Sequence, residues 1–182
     1  MSDEMMTLIQ NRRSIRKYED KSVPAECLRQ VLEAVRWSPS WANTQCWEVV
    51  VVQDPVVKAQ LQAVLPPKGN PAFNAMVQAP VVLVLCARTG TSGFYKEQAT
   101  TKFGDWMMYD LGIATQSICL MAHSLGLGTV VVGLFDHNKA REVLKVPHGY
   151  ELVSMIPMGY PTKIGSAPNR KATTEFVHHD RW

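Results

Sequence analysis

An apolar stripe in residues 107–125 restricts the fold of this chain more than any other feature of its sequence. The apolar positions recur at intervals of four and three residues, which places them on one face of a helix. They are Met107, Leu111, Ala114, Ile118, Met121 and Leu125. Gly126 follows as a residue suited to end that helix, and the residues from Thr129 to Val132 favour a strand. The chain must therefore cover one face of a long helix and return at once into a sheet.

Other apolar segments supply the remaining strands and helices. Residues 48–53 include four consecutive valines and Val81 to Cys86 is apolar throughout, so both are predicted to be buried strands. Residues 151–158 are predicted to form another strand. Helical spacing and capping residues predict shorter helices near residues 5–9, 24–35, 55–65 and 138–145. Together these elements predict an α+β fold with a central sheet flanked by helices, formed by a single domain over residues 1–182.

Three segments carry no regular apolar pattern. Residues 89–101 are rich in glycine, serine and threonine and are predicted to be mobile. Gly159-Tyr160-Pro161 predicts a turn after the last strand. Residues 162–182 contain few apolar side chains, so they are either disordered or packed on something else, such as a partner subunit.

Composition argues against several classes of protein. The net charge of +3 is too small to indicate a nucleic-acid partner. The four cysteines have no close spacing, so neither a disulfide framework nor a zinc site is predicted, and no metal is expected. The acidic start of the chain is unlike a signal peptide, and the longest apolar run, from Ala79 to Ala87, is too short to span a bilayer. We therefore expect a cytoplasmic protein that binds neither membranes nor nucleic acid.

Two polar segments are the candidates for function. The first is a basic cluster, Arg12-Arg13-Ser14-Ile15-Arg16-Lys17-Tyr18, whose guanidinium groups can bind phosphate bidentately. By itself such a cluster is more often a solvated basic face. The second is the amide-rich and hydroxyl-rich segment 38–47, between a predicted helix and a predicted strand. A nucleic-acid module is disfavoured because the basic cluster lacks interleaved exposed aromatic side chains.

The sequence lacks the motifs of most other enzymes that bind phosphate. Gly126-Leu127-Gly128 is not a dinucleotide fingerprint, because a helix precedes it where the fingerprint needs a strand. No phosphate-binding P-loop and no nucleophile elbow is present. A phosphate-binding cluster without these motifs suits a phosphorylated cofactor that performs its own redox chemistry, such as a flavin.

Four segments, taken in order, resemble the nitroreductase family of FMN-dependent oxidoreductases. They are Arg12-Arg13-Ser14-Ile15-Arg16, Ser38-Pro39-Ser40-Trp41-Ala42-Asn43-Thr44-Gln45-Cys46-Trp47, Asp110 to Thr129, and Met158-Gly159-Tyr160-Pro161. The resemblance implies a nitroreductase-like fold with a mostly antiparallel central sheet. It also implies a homodimer with FMN at the interface, in which residues 162–182 form a C-terminal extension that wraps the partner subunit.

The same resemblance implies a role for each cofactor-binding residue. Arg12 and Ser14 would contact the FMN phosphate and ribityl chain, with Arg13 assisting and Arg170 joining them from the C-terminal segment. Arg16 would lie near the pyrimidine edge of the flavin, where a fixed cation stabilises the reduced ring. The partner subunit would contribute three loop residues over the ring, and two further residues would offer backbone N–H groups near flavin N5. These are Pro39, Ser40 and Asn43 for the loop, and Gly133 and Leu134 for the N–H groups.

The implied activity is electron transfer from NADH or NADPH to a small acceptor. NAD(P)H would reduce FMN, and a nitroaromatic, a quinone or a related molecule would reoxidise it in a ping-pong mechanism with no catalytic side chain. Trp41 would either wall the substrate pocket or pack against the partner. Cys46 stands where the family usually has proline, and is either a reactive thiol or a small buried residue. The alternatives are a flavin-binding protein with little turnover and a family member with another reduction or dehalogenation substrate.

Overall fold

The computed structural model describes residues 2–182 and divides them into six helices and six strands. The helices are α1 (Ser2–Asn11), α2 (Ala25–Arg36), α3 (Pro55–Ala63), α4 (Ala75–Gln78), α5 (Met107–Ser124) and α6 (His137–Leu144). The strands are β1 (Trp47–Val52), β2 (Val81–Arg88), β3 (Phe94–Tyr95), β4 (Gln98–Ala99), β5 (Gly128–Thr129) and β6 (Tyr150–Gly159). Short 3-10 turns cover Trp41–Asn43 and Thr173–Glu175. None of the helices in residues 2–182 combines the length and the hydropathy needed to cross a membrane.

The central sheet is antiparallel throughout, in the order β1-β2-β6-β5. Trp47 lies opposite Ala87, and Val81 lies opposite Met158. Gly128 of the short edge strand β5 lies opposite Gly159. The predicted α+β fold with a mostly antiparallel sheet is therefore confirmed.

Strand β2 is apolar without interruption from residue 81 to 86 because both of its faces are buried. Its alternate residues point to opposite faces of the sheet, and each face is covered by helices. Val82, Val84 and Cys86 belong to a core that includes residues of α3, α4 and α6. Val81, Leu83 and Leu85 belong to a second core that includes residues of α2 and α5. Every β2 residue except Arg88 is buried, so the prediction of a strand buried on both faces is confirmed there.

The same prediction is wrong for β1. Of its six residues only Val52 is buried, while Glu48 is exposed and the others are half-buried. β1 is an edge strand of the sheet and pairs with β2 alone, so its valines lack the second neighbouring strand that β2 has. A run of valines therefore indicated a strand correctly without indicating its place in the sheet.

Local capping signals fixed several helix boundaries as predicted. The Asp54 carboxylate accepts hydrogen bonds from the backbone N–H groups of Val56 (2.7 Å) and Val57 (3.3 Å), and Pro55 occupies the first helical position of α3. Gly126, with φ of +75°, follows the end of α5 in the left-handed conformation.

Three loop predictions differ from the structure. Residues 89–101, predicted to be mobile, carry the β3–β4 hairpin and bury Ser92 completely. Gly159 ends β6 and Pro161 forms an antiparallel bridge with Tyr18, so the predicted turn at 159–161 is an extended connection. The strand predicted at 129–132 is limited to Gly128–Thr129, with a single further bridge between Val132 and Met155. Contacts distant in sequence decided the conformation at 159–161 and at 128–132, whereas the hairpin pairs residues that are close in sequence.

The C-terminal segment, residues 162–182, is exposed throughout. Its only regular structure is the turn Thr173–Glu175. The large apolar side chains exposed in it are Ile164, Phe176, Val177 and Trp182. Wrapping of a partner subunit by this segment stays a prediction.

Candidate functional site

The basic residues of the two chain ends meet in one cleft. Its volume is about 280 Å³, and its walls come from residues 12–16 and from residues 165–170 of the C-terminal segment. The lining residues are Arg12, Arg13, Ser14, Arg16, Gly165, Ser166, Pro168 and Arg170. Four of these residues, Arg12, Arg13, Ser14 and Arg170, were predicted to bind the phosphate end of a cofactor, and Arg16 was predicted near its ring. The structure brings all five together, although Arg170 is far from the others in sequence.

The basic cluster is held by contacts with strands β5 and β6. The backbone N–H of Ile15 donates to the carbonyl oxygen of Thr129 over 2.8 Å, and Ser14 forms a parallel bridge with the same residue. The Tyr18 hydroxyl lies 2.7 Å from the carbonyl oxygen of Ile15 and 2.9 Å from that of Pro157. Burial raises the pKa of Tyr18 above its ordinary value, so this hydroxyl remains a neutral donor. The segment 14–18 is therefore fixed to the sheet by its backbone and by the Tyr18 hydroxyl. Within the described residues the Arg16 side chain makes one long hydrogen bond, 3.4 Å from Nη1 to the carbonyl oxygen of Ser14.

No carboxylate in the described part of the chain neutralises the charges of this cleft. Within residues 2–182 no carboxylate forms an ion pair with Arg12, Arg13, Arg16 or Arg170. Arg13 Nη1 donates to the carbonyl oxygens of Gln10 and Arg12, but its buried Nε has no hydrogen-bond partner. Burial and the positive charges of Arg12 and Arg13 lower the pKa of nearby His123. Four cations in one polar cleft with an unsatisfied donor form a site that an anion of more than one charge would complete.

The segment 38–47, the second candidate region, has an unusual backbone. Ala42, Asn43 and Gln45 all have positive φ, at 46°, 55° and 48°. Asparagine tolerates this left-handed conformation, but alanine in it is strained by about 1 kcal/mol or more. Such residues persist only where surrounding contacts determine the conformation, and they are common in ligand-binding loops.

Helix α5 supplies those surrounding contacts. Asp110 Oδ1 accepts a hydrogen bond from the Trp41 backbone N–H over 3.0 Å, and Ser38 Oγ donates to Ser117 Oγ over 2.8 Å. Within the loop, the Gln45 N–H donates to Ser40 Oγ over 2.9 Å. The loop is therefore attached to α5 at its start and at Trp41.

Asp110 is the residue that the sequence analysis missed. It is 1% exposed, and its Oδ2 accepts from Ser92 Oγ over 2.6 Å and from Cys46 Sγ over 3.6 Å. The signal in the sequence was a lone carboxylate three residues after Met107, on the face of α5 that is otherwise apolar. A charge at such a position is buried only if it has partners, and those partners could not be named from local sequence.

The other predicted site residues lie outside the basic cleft of the same chain. Pro39, Ser40, Trp41 and Asn43 are exposed or half-buried on the loop. Gly133 and Leu134 are exposed after β5, and their backbone N–H groups have no acceptor within residues 2–182. None of these six residues lines the cleft. Their contribution to a cofactor site, from this subunit or from a partner, stays a prediction.

Cys46 is a buried residue at 4% exposure. Burial and the neighbouring negative charge of Asp110 raise the pKa of its thiol to about 12. The thiolate, which is the reactive form, is therefore scarce at neutral pH. Of the two predicted alternatives, the structure supports the small buried residue.

Brief alkylation of the native protein near pH 8 should modify Cys27 and spare Cys46. Cys27 is half-buried, whereas Cys46 combines burial with a raised pKa, so the thiolate fraction of Cys46 would be only about 10⁻⁴. Peptide mapping by mass spectrometry measures both sites, and alkylation in concentrated urea gives the control in which both react. Modification of Cys46 as fast as Cys27 in the native protein would instead mean a reactive thiol.

No group of three or more histidine, cysteine, aspartate or glutamate side chains in the described part of the chain is placed to hold a metal ion.

Comparison with known proteins decides the family. The profile of the nitroreductase family matches residues 9–160, which is most of the chain. This chain belongs to the nitroreductase family. An FMN reductase [NAD(P)H] of Bacillus subtilis is 31% identical, with 97% of this chain and 73% of that protein aligned. An iodotyrosine deiodinase of Nematostella vectensis is 26% identical over 97% of this chain and 75% of its own length.

The solved structures of the nitroreductase family agree with this assignment. An FMN-dependent nitroreductase from Clostridium difficile R20291 superposes with a TM-score of 0.81 at 29% identity. The superposition covers 98% of this chain and 100% of that one. The predicted family and the predicted nitroreductase-like fold are confirmed.

Proposed function

We propose that this chain is a single-domain cytoplasmic flavoenzyme that uses FMN and NADH or NADPH to reduce small acceptors such as nitroaromatics and quinones. The observation that carries the proposal is the cleft in which Arg12, Arg13, Arg16 and Arg170 meet without a carboxylate partner among residues 2–182. The names of relatives in the family, an FMN reductase and an FMN-dependent nitroreductase, support the choice of cofactor and donor.

FMN suits the residues present because its phosphate can satisfy the donors of this cleft. Arg12, Arg13 and Arg170 would bind the phosphate oxygens, and the Ser14 hydroxyl would add a hydrogen bond at the ribityl chain. The buried Nε of Arg13 is an unsatisfied donor, and unsatisfied buried donors call for an acceptor. When bound, FMN supplies the chemistry that takes a hydride from NAD(P)H and passes electrons to the acceptor.

The remaining residues would orient the cofactor and exclude water. Arg16 would place a positive charge near the pyrimidine edge of the ring and so favour its reduced form. The backbone N–H groups of Gly133 and Leu134 have no acceptor within residues 2–182 and could donate toward the N5 side. Pro39, Ser40 and Asn43 would cover the ring from the partner subunit, with Trp41 beside the substrate. No side chain of this set is needed as a general acid or base.

A second candidate is reductive dehalogenation of an aromatic substrate. Its support is the similarity to an iodotyrosine deiodinase along 97% of this chain. In both candidates FMN would be the cofactor of this chain and only the acceptor would differ, so assays with iodotyrosine, a quinone and a nitroaromatic side by side decide between them.

The test of the proposal is the visible spectrum of the purified protein, before and after NADH or NADPH is added without oxygen. We expect a flavin spectrum that bleaches with either donor, and a chromophore released on denaturation that migrates as FMN. Release of FAD, or no flavin after incubation with FMN, would contradict the proposed cofactor. A bound flavin that neither donor reduces would support the alternative of a flavin-binding protein with little turnover.

Light scattering should give a mass of about twice the 20.4 kDa of one chain. Two apolar surfaces in the described residues would be covered in a dimer. One is the C-terminal segment with its exposed Ile164, Phe176 and Trp182. The other is a groove of about 450 Å³ between α1, α2 and α5 that includes Met5 and Trp37. A flavin-loaded protein that is cleanly monomeric would contradict the shared site.

Steady-state rates should give parallel double-reciprocal lines, with inhibition at high acceptor concentration. The sequence holds no dinucleotide fingerprint for a separate NAD(P)H site, so donor and acceptor would take turns at one flavin face. Varying NADH or NADPH against a quinone measures this pattern. Intersecting lines, with evidence that both substrates bind at once, would mean that a second site exists.

A further inference from the structure

Asp110 of helix α5 accepts hydrogen bonds from residues outside its own helix. Its carboxylate is buried near the start of α5 and accepts three hydrogen bonds from two segments of the chain, the loop 38–47 and residues 89–101. The donors are the Trp41 backbone N–H, the Ser92 hydroxyl and the Cys46 thiol. None of the three is a cation. Burial of a carboxylate without a cationic partner is unfavourable unless its oxygens are satisfied. These bonds therefore tie both segments to one point on α5.

The bond to Trp41 lies directly before the strained part of the loop 38–47. Ala42 and Asn43, both with positive φ, are the next two residues. The other tertiary bond to α5, from Ser38 to Ser117, lies at the start of the loop. Asp110 therefore accepts the hydrogen bond that connects α5 to the middle of the loop. It also accepts a hydrogen bond from the Cys46 thiol near the end of the loop.

The third partner of Asp110 extends the connection to the β3–β4 hairpin. Ser92 is fully buried and precedes β3, and its carbonyl oxygen accepts from the Trp106 N–H over 3.0 Å. Gly93 packs so closely on Trp106 that a Cβ there would lie 2.8 Å from the indole ring. The hairpin is thus fixed against the start of α5, and the carboxylate of Asp110 joins that assembly to the loop 38–47.

We propose that Asp110 is a positioning residue that holds the loop 38–47 in its cofactor-binding conformation before the cofactor arrives and couples that loop to the β3–β4 hairpin. The functional part of this inference rests on the proposed function, in which Pro39, Ser40 and Asn43 contact FMN. Preorganisation of this kind strengthens binding because the loop need not be ordered during binding.

The test compares Asp110→Ala with Asp110→Asn in the full-length protein as purified. An asparagine keeps an oxygen that accepts from the Trp41 N–H, and its amide can donate to Ser92 Oγ, whereas alanine loses both bonds. Hydrogen exchange measured by mass spectrometry reports on peptides that cover 38–47 and 89–101. We expect Asp110→Ala to speed exchange in both peptides by about tenfold or more and Asp110→Asn to change it by less than about threefold.

Two further variants separate positioning from general destabilisation. Ala114→Gly lies one turn further along α5 and weakens the helix without removing a side-chain hydrogen bond, so it should leave both peptides near the wild-type rate. Ser92→Ala removes the bond to the hairpin alone, and should speed exchange in 89–101 more than in 38–47. Equal exchange of 38–47 in wild type and Asp110→Ala, or equal acceleration by Ala114→Gly, would overturn the proposal.

FMN titration of the flavin-free proteins then tests the functional part. The dissociation constant for FMN should rise about tenfold in Asp110→Ala and stay within about threefold of wild type in Asp110→Asn. Wild-type FMN affinity in Asp110→Ala would refute the coupling of the loop to binding. A wild-type protein that binds no FMN would refute the proposed function, whereas the exchange rates would still decide whether Asp110 positions the loop.

Discussion

Replacing Arg12 with alanine should raise the dissociation constant for FMN by about tenfold to a hundredfold. Arg12 lines the basic cleft, and no carboxylate in the described residues competes for its guanidinium. A hydrogen bond between charged groups contributes about 1.5–3 kcal/mol. A loss of that size corresponds to a rise in the dissociation constant of about tenfold to a hundredfold. Titration of the flavin-free variant, followed by flavin fluorescence, measures it.

The contrast with Arg16→Ala makes this prediction specific. Arg16 would act on the ring rather than on the phosphate, so its loss should change FMN affinity less than the loss of Arg12 and should slow reduction of the flavin by NAD(P)H. Arg141→Ala is the matched control, because Arg141 lies on α6, pairs with Glu151 at 2.8 Å and does not line the basic cleft. That variant should bind FMN as the wild type does. Wild-type affinity in both Arg12→Ala and Arg16→Ala would show that the cofactor binds elsewhere.

The second large effect is expected at Gly128, where β5 meets the basic cluster. A Cβ at this position would lie 2.4 Å from Ile15 Cγ1 and 2.7 Å from Ile15 Cβ. Rotation of the Ile15 side chain does not move its Cβ. The backbone N–H of Ile15 is also hydrogen-bonded to the carbonyl oxygen of Thr129, the residue after Gly128. Gly128→Ala must therefore push the segment 14–16 off the sheet, and we expect a loss of about 1–3 kcal/mol of stability.

Thermal unfolding and FMN titration measure the two consequences of Gly128→Ala. For a chain of this size, each kcal/mol lowers the midpoint by about 2–4 °C. FMN affinity should fall as well, because Arg13, Ser14 and Arg16 move with Ile15. Gly165→Ala adds the same methyl group where nothing lies within 4 Å, and should leave the midpoint unchanged. A Gly128→Ala protein as stable as wild type would mean that residues 14–16 can move away from β5 without a loss of stability.

The residues of the basic cleft could be predicted only in part from the sequence. The cluster at 12–16 was visible because its charges are consecutive, and Arg170 was expected beside it through the family resemblance alone. Their meeting in one cleft depends on the bond between Ile15 and Thr129 and on the course of residues 161–170. The predicted roles of Asn43 and Gly133 involve surfaces outside that cleft, so the order of motifs along the chain could not establish their placement.

Periodicity and capping in the sequence by themselves determined the helices α3, α5 and α6 and the strands β2 and β6. The helices depend on hydrogen bonds, caps and apolar spacing within about twenty residues, which the local sequence contains in full. The two strands were recognisable from their apolar runs, although their hydrogen bonds join segments distant in sequence. Only the tertiary structure decided that β1 is an edge strand, that residues 94–99 form a hairpin, and that Asp110 joins this hairpin to the loop 38–47. The physical reason is that a valine run or a lone aspartate has the same local preferences whatever lies beside it. Its burial and its partners are set by segments that are distant in the chain and meet only in the folded protein.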